Sequence, residues 1–175
     1  MGPTTSLSNG KGATLVSSRF LTVIVPTIGR PRYIASTLTS IARNSNADFE
    51  VLVSDNAAEP PVEELMVNEV LRGIPHRLIR RSSRLAFSDH FNQCLQDASG
   101  EWVIFISDDD LVAEDFFQRL TTVARKNSEI SIILSRQKVI DESVFITAPM
   151  DDGETLISDG LTFVEDCQRG AYPDF

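Results

Sequence analysis

With 175 residues, 42% apolar and 23% charged, the chain has the size and composition of one soluble domain with a sizeable core. A formal charge of −9 argues against a nucleic-acid surface, because neutralising phosphates needs clustered basic side chains. No apolar run reaches the ~20 residues of a membrane span, so no membrane-crossing segment is expected.

Residues 1–18 are rich in Gly, Ser and Thr and lack the apolar core of a signal peptide, so they read as a flexible tail. The fold is expected over residues 19–175. Residues 20–25 are β-prone and end at Pro26, which makes a short strand followed by a loop carrying Gly29 and Pro31. Residues 33–43 place Ile34, Leu38, Ile41 and Ala42 at helical spacing. Residues 49–53 form the next strand, halting at Ser54-Asp55-Asn56, and complete a βαβ unit. Pro60-Pro61 is expected to open a second helix through Val70, since proline suits a first helical turn. Residues 76–80 read as a weaker, partly basic strand. Ser88 or Asp89 is expected to cap a helix that carries Phe91, Leu95 and Ala98 and closes at Ser99-Gly100.

Residues 102–106 are five apolar side chains in a row, which predicts a strand buried on both faces with Trp102 in the core. An amphipathic helix is expected over residues 113–127, with Phe116, Phe117, Leu120, Val123 and Ala124 as its buried stripe. Residues 130–134 read as a further strand, 139–146 as a hairpin, 156–157 as a short strand and 158–168 as a last helix. This alternation predicts an α/β fold, a Rossmann-like and mainly parallel sheet flanked by helices. Cys94 and Cys167 have neither metal-ligand nor disulfide spacing and read as free thiols, with Cys94 a small core residue. His76 and His90 are isolated in the sequence and are not expected to bind metal.

In a parallel sheet, strand ends gather at one edge, and open α/β folds place ligands there. The carboxyl ends here are Pro26-Thr27, Asp55-Asn56 and Asp108, Asp109 and Asp110, around a crevice that suits a nucleotide. Asp55 can accept from a base N–H or a ribose hydroxyl, and a divalent metal on Asp109 can neutralise a diphosphate. Adjacent carboxylates repel, so the three acids either share a cation or serve to cap the next helix. The basic residues Arg77, Arg80, Arg81 and Arg84 form one patch able to hold a phosphorylated small molecule. Neither a GxGxxG nor a GxxxxGK[ST] loop follows the first strand, which removes the phosphate cradle of dinucleotide and P-loop proteins.

The blocks Val25-Pro26-Thr27 with Arg30-Pro31, Phe49-Glu50-Val51-Leu52-Val53-Ser54-Asp55-Asn56-Ala57, Asn92, Ala98-Ser99-Gly100-Glu101 and Asp108-Asp109-Asp110 together resemble family 2 glycosyltransferases of the GT-A fold. The resemblance runs from Leu21 to Gln118. It implies that Pro26 and Thr27 border the nucleotide base, with Arg30 at a position often basic in relatives. It implies that Asp55 hydrogen-bonds the base, against the alternative that it caps the following turn. Arg81 corresponds to a basic position that reaches the nucleotide, against the alternative of a solvated surface arginine. Asp108 corresponds to the acid near the ribose and Asp109 to the ligand of Mn2+ or Mg2+. Asp110 either supports that metal or caps the helix expected from Ala113.

The activity so implied is metal-assisted, inverting transfer of a sugar from a nucleotide-diphosphate sugar to a hydroxyl of a glycan or lipid-linked acceptor. The setting implied is polysaccharide or glycan biosynthesis, cytoplasmic or membrane-peripheral. Two departures stand out. Arg84-Leu85-Ala86 occupies the place of an Asn-x-Gly common in relatives. None of Asp159, Glu165, Asp166 or Asp174 lies in a motif matching the family's catalytic base, so the base is unassigned and a truncated enzyme lacking its acceptor half is expected. A non-catalytic sugar-nucleotide-binding module or inactive fragment is one alternative. A sugar-1-phosphate nucleotidyltransferase is another, although Pro26-Thr27-Ile28-Gly29-Arg30 is not its glycine-rich loop.

Overall fold

The computed structural model of the protein describes residues 19–135. Strands and helices alternate as β1 (Leu21–Thr27), α1 (Pro31–Ala42), β2 (Phe49–Asp55), α2 (Glu64–Val70), β3 (His76–Arg80), α3 (Phe87–Asp97), β4 (Trp102–Phe105) and α4 (Phe116–Lys126). All neighbouring strands are parallel and the sheet order is β3-β2-β1-β4. After β3 the chain crosses back over the sheet to lay β4 beside β1. The strand order therefore reverses between β1 and β4, which is where open α/β sheets bind ligands. The chain divides into two compact units, Met1–Thr121 and Thr122–Phe175.

β1 and β2 are apolar on both faces because both faces are covered. Val23, Val25, Val51 and Val53 pack with Ile34, Leu38 and Ile41 of α1, Val67 and Leu71, and Phe117. On the opposite face Ile24 and Leu52 meet Cys94 of α3, so Cys94 is the core residue expected of it. Phe91 extends that second layer by stacking on Phe105 at 4.6 Å.

Several sequence expectations shift. The run 102–106 is not buried on both faces: β4 is half-buried and pairs only with β1 among the described residues. Its apolar character matches that of β1 and β2, but among the described residues it stands at an edge of the sheet. Trp102 is likewise half-buried against the larger core cluster. α2 starts at Glu64, because the backbone of residues 58–62 is drawn onto the Asp55 carboxylate instead of into a helical turn. α3 starts at Phe87 with Ala86 at the N-cap and no side-chain cap, so Ser88 and Asp89 lie inside the first turn. Its buried face is His90 and Cys94, while Leu95 points outward. α4 starts at Phe116, not Ala113. Residues 130–134 form no strand; Ile130 N–H closes a turn on Asn127 O at 3.3 Å. The tail 1–18, the hairpin 139–146, the strand 156–157 and the helix 158–168 lie outside the described residues.

At the amino ends of the strands a polar lock on the buried Glu50 joins β1, β2, β3 and the turn before β4. Glu50 Oε1 accepts from Thr22 Oγ1 (3.0 Å), Ser99 Oγ (2.6 Å) and Arg77 Nη2 (3.2 Å). Thr22 Oγ1 in turn accepts from Gly100 N (2.8 Å), which fixes the entry into β4 against β1. Burial alone would push the Glu50 carboxyl up, but the Ser99 and Thr22 hydrogen bonds and the Arg77 charge more than offset it, leaving it below its ordinary value.

Candidate functional site

The site grows from the end of β1. Thr27 is buried there, and its hydroxyl donates to Asp108 Oδ2 at 2.5 Å while accepting from Gly29 N at 3.0 Å. Gly29 has φ +83, and a Cβ on it would lie 2.4 Å from the Ala58 Cβ. Only glycine lets the loop turn this tightly against its neighbour. That turn delivers Arg30, whose Nε donates to Asp108 Oδ1 (2.9 Å), Nη2 to the same oxygen, and Nη1 to Asp109 Oδ2 (2.7 Å). The Asp108 hydrogen bond raises the pKa of the Arg30 guanidinium; partial burial opposes this and Asp109 adds to it.

Asp108 is only 2% exposed, whereas the side chains of Arg30 and Asp109 are each 40% exposed. Asp110 is exposed and its N–H closes the turn on Ser107 O at 3.1 Å. It does not cap α4, which begins six residues later. The segment leaving the acids is held by α1 and the turn after it: Val112 N donates to Ser40 Oγ (3.0 Å), Asn44 Nδ2 donates to Ala113 O (2.9 Å) and Asn44 Oδ1 accepts from Phe117 N (3.2 Å). The sequence marks neither Ser40 nor Asn44. For Ser40 the available signal was a polar residue on the buried stripe of an amphipathic helix; Asn44, in the turn after it, offered none.

Beside Thr27, in register on β2, lies Asp55, completely buried. Its Oδ1 accepts from Ala58 N (2.8 Å), and its Oδ2 from Val62 N (3.0 Å) and Arg80 Nε (3.3 Å). It thus caps the following turn, as one reading of the sequence had it, and retains one of about four acceptor positions of a carboxylate. Asn56 takes a similar part: its side chain binds both Leu85 N (2.8 Å) and Leu85 O (3.0 Å). The loop that departs from the relatives' Asn-x-Gly is therefore pinned to the end of β2. Pro26 is half-buried, opposite Ser54 in the β1–β2 register.

Arg81 is not a solvated surface arginine; its side chain is 13% exposed. Its Nη2 donates to Asp97 Oδ2 (2.5 Å) and Ser54 Oγ (3.2 Å), and its Nε is buried with no hydrogen-bond partner among the described residues. His90 is not isolated either. It is buried, with Nε2 2.8 Å from Ser54 Oγ, an arrangement that suits a neutral ring protonated on Nδ1. Burial, then the Arg81 charge, push its pKa down, and Asp55 opposes them. No sequence spacing links these four residues, because β2, the end of β3 and α3 meet only in the fold.

Stability is expected to fall on acidification in two stages. Below about pH 6.5 the unfolded chain takes up a proton on residue 90 that the buried imidazole resists, so the unfolded state gains. The contribution of the depressed Glu50 carboxylate is present above its unfolded value, about 4.3, and is lost as pH falls through its folded value. Urea melts at about pH 7, 5.5 and 4 read both stages. His90→Gln should flatten the upper stage; an unchanged slope there would remove His90 from this account.

Among the described residues no three carboxylate, histidine or cysteine side chains stand close enough to cage a metal ion. Mn2+ and Mg2+ do not need such a cage, since Mg2+ characteristically takes one or two carboxylates and completes its shell with water and substrate phosphate. Asp109 and Asp110 are hard, accessible oxygen donors, and a guanidinium already rests on Asp109. The donor set fits a cation shared with a diphosphate.

The hydrogen-bonded acids thus stand at the switch point of a parallel α/β sheet, where open α/β folds bind ligands. The chain belongs to glycosyl transferase family 2, whose model matches residues 22–167. It is similar to an uncharacterized glycosyltransferase of Haemophilus influenzae (strain ATCC 51907 / DSM 11121 / KW20 / Rd), 24% identical over 137 residues that cover 77% of this chain and 45% of that protein. Its fold is similar to that of S. aureus TarS 1-349, with a TM-score of 0.52 at 24% identity over 61% of this chain and 32% of the TarS chain. The same region of TarS in complex with UDP-GlcNAc matches with a TM-score of 0.51. The α/β GT-A fold and the family expected from the sequence are thus borne out. The chain spans less than half the length of these relatives. Among the described residues no helix is long and apolar enough to cross a membrane.

Proposed function

We propose that the protein is the donor-binding part of an inverting glycosyltransferase that takes its sugar from a nucleotide diphosphate. The observation that carries this reading is the bonded group of Thr27, Arg30, Asp108 and Asp109 at the switch point, with Asp55 in register beside it. In this reading Pro26 and Thr27 border the base, and Asp55 shapes the wall next to it through the 58–62 backbone while keeping one acceptor position. Arg81 supplies positive charge on the same side. Asp108 faces the ribose, and Asp109, with Asp110 near it, takes Mn2+ or Mg2+. The metal would stabilise the charge that develops on the diphosphate leaving group. A hydroxyl of a glycan or lipid-linked acceptor would attack the anomeric carbon from the opposite face, at the cytoplasmic side in polysaccharide or glycan synthesis.

Calorimetry with UDP, GDP, CDP and dTDP, with and without Mn2+, tests the reading directly. One nucleotide should bind, and metal should tighten it. Asp109→Ala should abolish the metal-dependent part, about tenfold or more in Kd. If no nucleotide binds, or if Asp109→Ala responds to metal as the parent does, the assignment fails. Binding without hydrolysis or transfer of the sugar would identify a sugar-nucleotide-binding module instead.

A further inference from the structure

We propose that Arg30 is the built-in counter-ion of Asp108 and Asp109, and that it makes metal entry depend on the nucleotide diphosphate. The inference rests on the donor-binding reading above and adds an order of events to it.

One guanidinium spans both carboxylates, and its two ends differ. At Asp108 it meets an acid that is almost wholly buried and also held by the Thr27 hydroxyl, so this end is an anchor. At Asp109 a single 2.7 Å contact joins two groups that are each 40% exposed, so this end can part and re-form at little cost. Asp109 is also the acid expected to bind the metal. A divalent ion sits about 2.1 Å from a carboxylate oxygen. It would share Asp109 Oδ2 with the Nη1 donor, bringing two like charges together over one acceptor. Metal alone must therefore either displace Nη1 into water or take the other Asp109 oxygen beside a guanidinium of like charge, and it meets only a partial set of protein ligands, since no three-ligand cage exists among the described residues.

A diphosphate changes both terms. Its oxygens complete the metal's shell, and they give the displaced guanidinium a new planar, bidentate partner. Nη1 then leaves Asp109 for a phosphate oxygen while Nε stays on Asp108. Metal and nucleotide each improve the other's binding, and by linkage the factor is the same in both directions.

Free Mn2+ measured by electron paramagnetic resonance reads this without any turnover. The parent protein should bind Mn2+ weakly alone, and about tenfold or more tightly when its cognate nucleoside diphosphate (from UDP, GDP, CDP and dTDP) is present. Arg30→Gln should bind Mn2+ alone about tenfold better than the parent and show a smaller nucleotide effect. Arg30→Lys, which keeps the charge but not the fork, should fall between them. If Arg30→Gln matches the parent both with and without nucleotide, Arg30 is not the counter-ion, although the donor-binding reading survives. If no Mn2+ binds to the parent or to either variant with any of the four nucleotides, the donor-binding reading and this inference both fall.

Discussion

Replacing Asp55 with alanine is expected to remove about 4 kcal/mol of unfolding free energy, among the largest losses from any single polar side chain in this fold. The reason is what the carboxylate leaves behind. Ala58 N–H and Val62 N–H both point at it in a region closed to water, and each orphaned buried donor costs roughly 1–3 kcal/mol. The Arg80 pair adds little, because Arg80 is half exposed and screened. Asp55→Asn should cost about half as much, since its Oδ1 can still accept from Ala58 while its amide faces the Val62 donor with the wrong sign. Urea unfolding measures both; with a slope near 2 kcal/mol per M, the alanine midpoint should move by about 2 M. A shift below about 0.5 M would show that residues 58–62 keep their path without the carboxylate. Nucleotide affinity should fall in parallel if that path forms the wall beside the base.

The same residue shows how far the sequence could be read. A β-prone run ending in Ser54-Asp55-Asn56 places Asp55 at a strand end, because strand periodicity and breakers are local signals. Asp108 and Asp109 are legible as strand-end acids for the same reason, whereas Arg30, in a loop, is marked only by the family resemblance. Their mutual bonding is not legible, since Arg30 and Asp108 stand 78 residues apart. Lateral position in the sheet was equally invisible. The run 102–106 and the strand β1 have the same apolar texture, yet β1 is central and β4 pairs on one side only among the described residues. Helix starts differ where tertiary bonds override local preference, as at the prolines before α2, which sit between the Ala58 and Val62 amides that Asp55 holds. His90 looked solitary because its partners Ser54 and Arg81 come from other elements.

Gly100→Ala is expected to act at both ends of β4, although it touches only one. An added Cβ would lie 2.5 Å from Thr22 N and 2.8 Å from both Leu21 C and Thr22 Oγ1. Two of these atoms are backbone of the central strand, so neither can rotate aside and the entry to β4 must move outward. Overpacking of this kind costs roughly 1–3 kcal/mol, and here it also stretches the Gly100 N–H bond to Thr22 that helps seat Glu50. A loss of about 3 kcal/mol is expected, read as a urea midpoint lowered by about 1.5 M. β4 then transmits the movement. It is four residues long, ladder-bonded to β1 from Leu21↔Trp102 to Ile24↔Phe105, and Ile106 N–H continues the ladder to Ile24 O before the chain reaches Asp108. A displaced β4 carries Asp108 away from Thr27 and Arg30, which belong to β1 and its loop. Metal-dependent nucleotide binding should therefore weaken in Gly100→Ala even under conditions where the variant is fully folded. Glu101→Ala, exposed and next in sequence, is the control and should change neither quantity. If Gly100→Ala is destabilised but binds nucleotide and metal as the parent does, the acids are positioned by the clip of Ser40 on α1 and Asn44 in the turn after it, and not by the strand that leads to them.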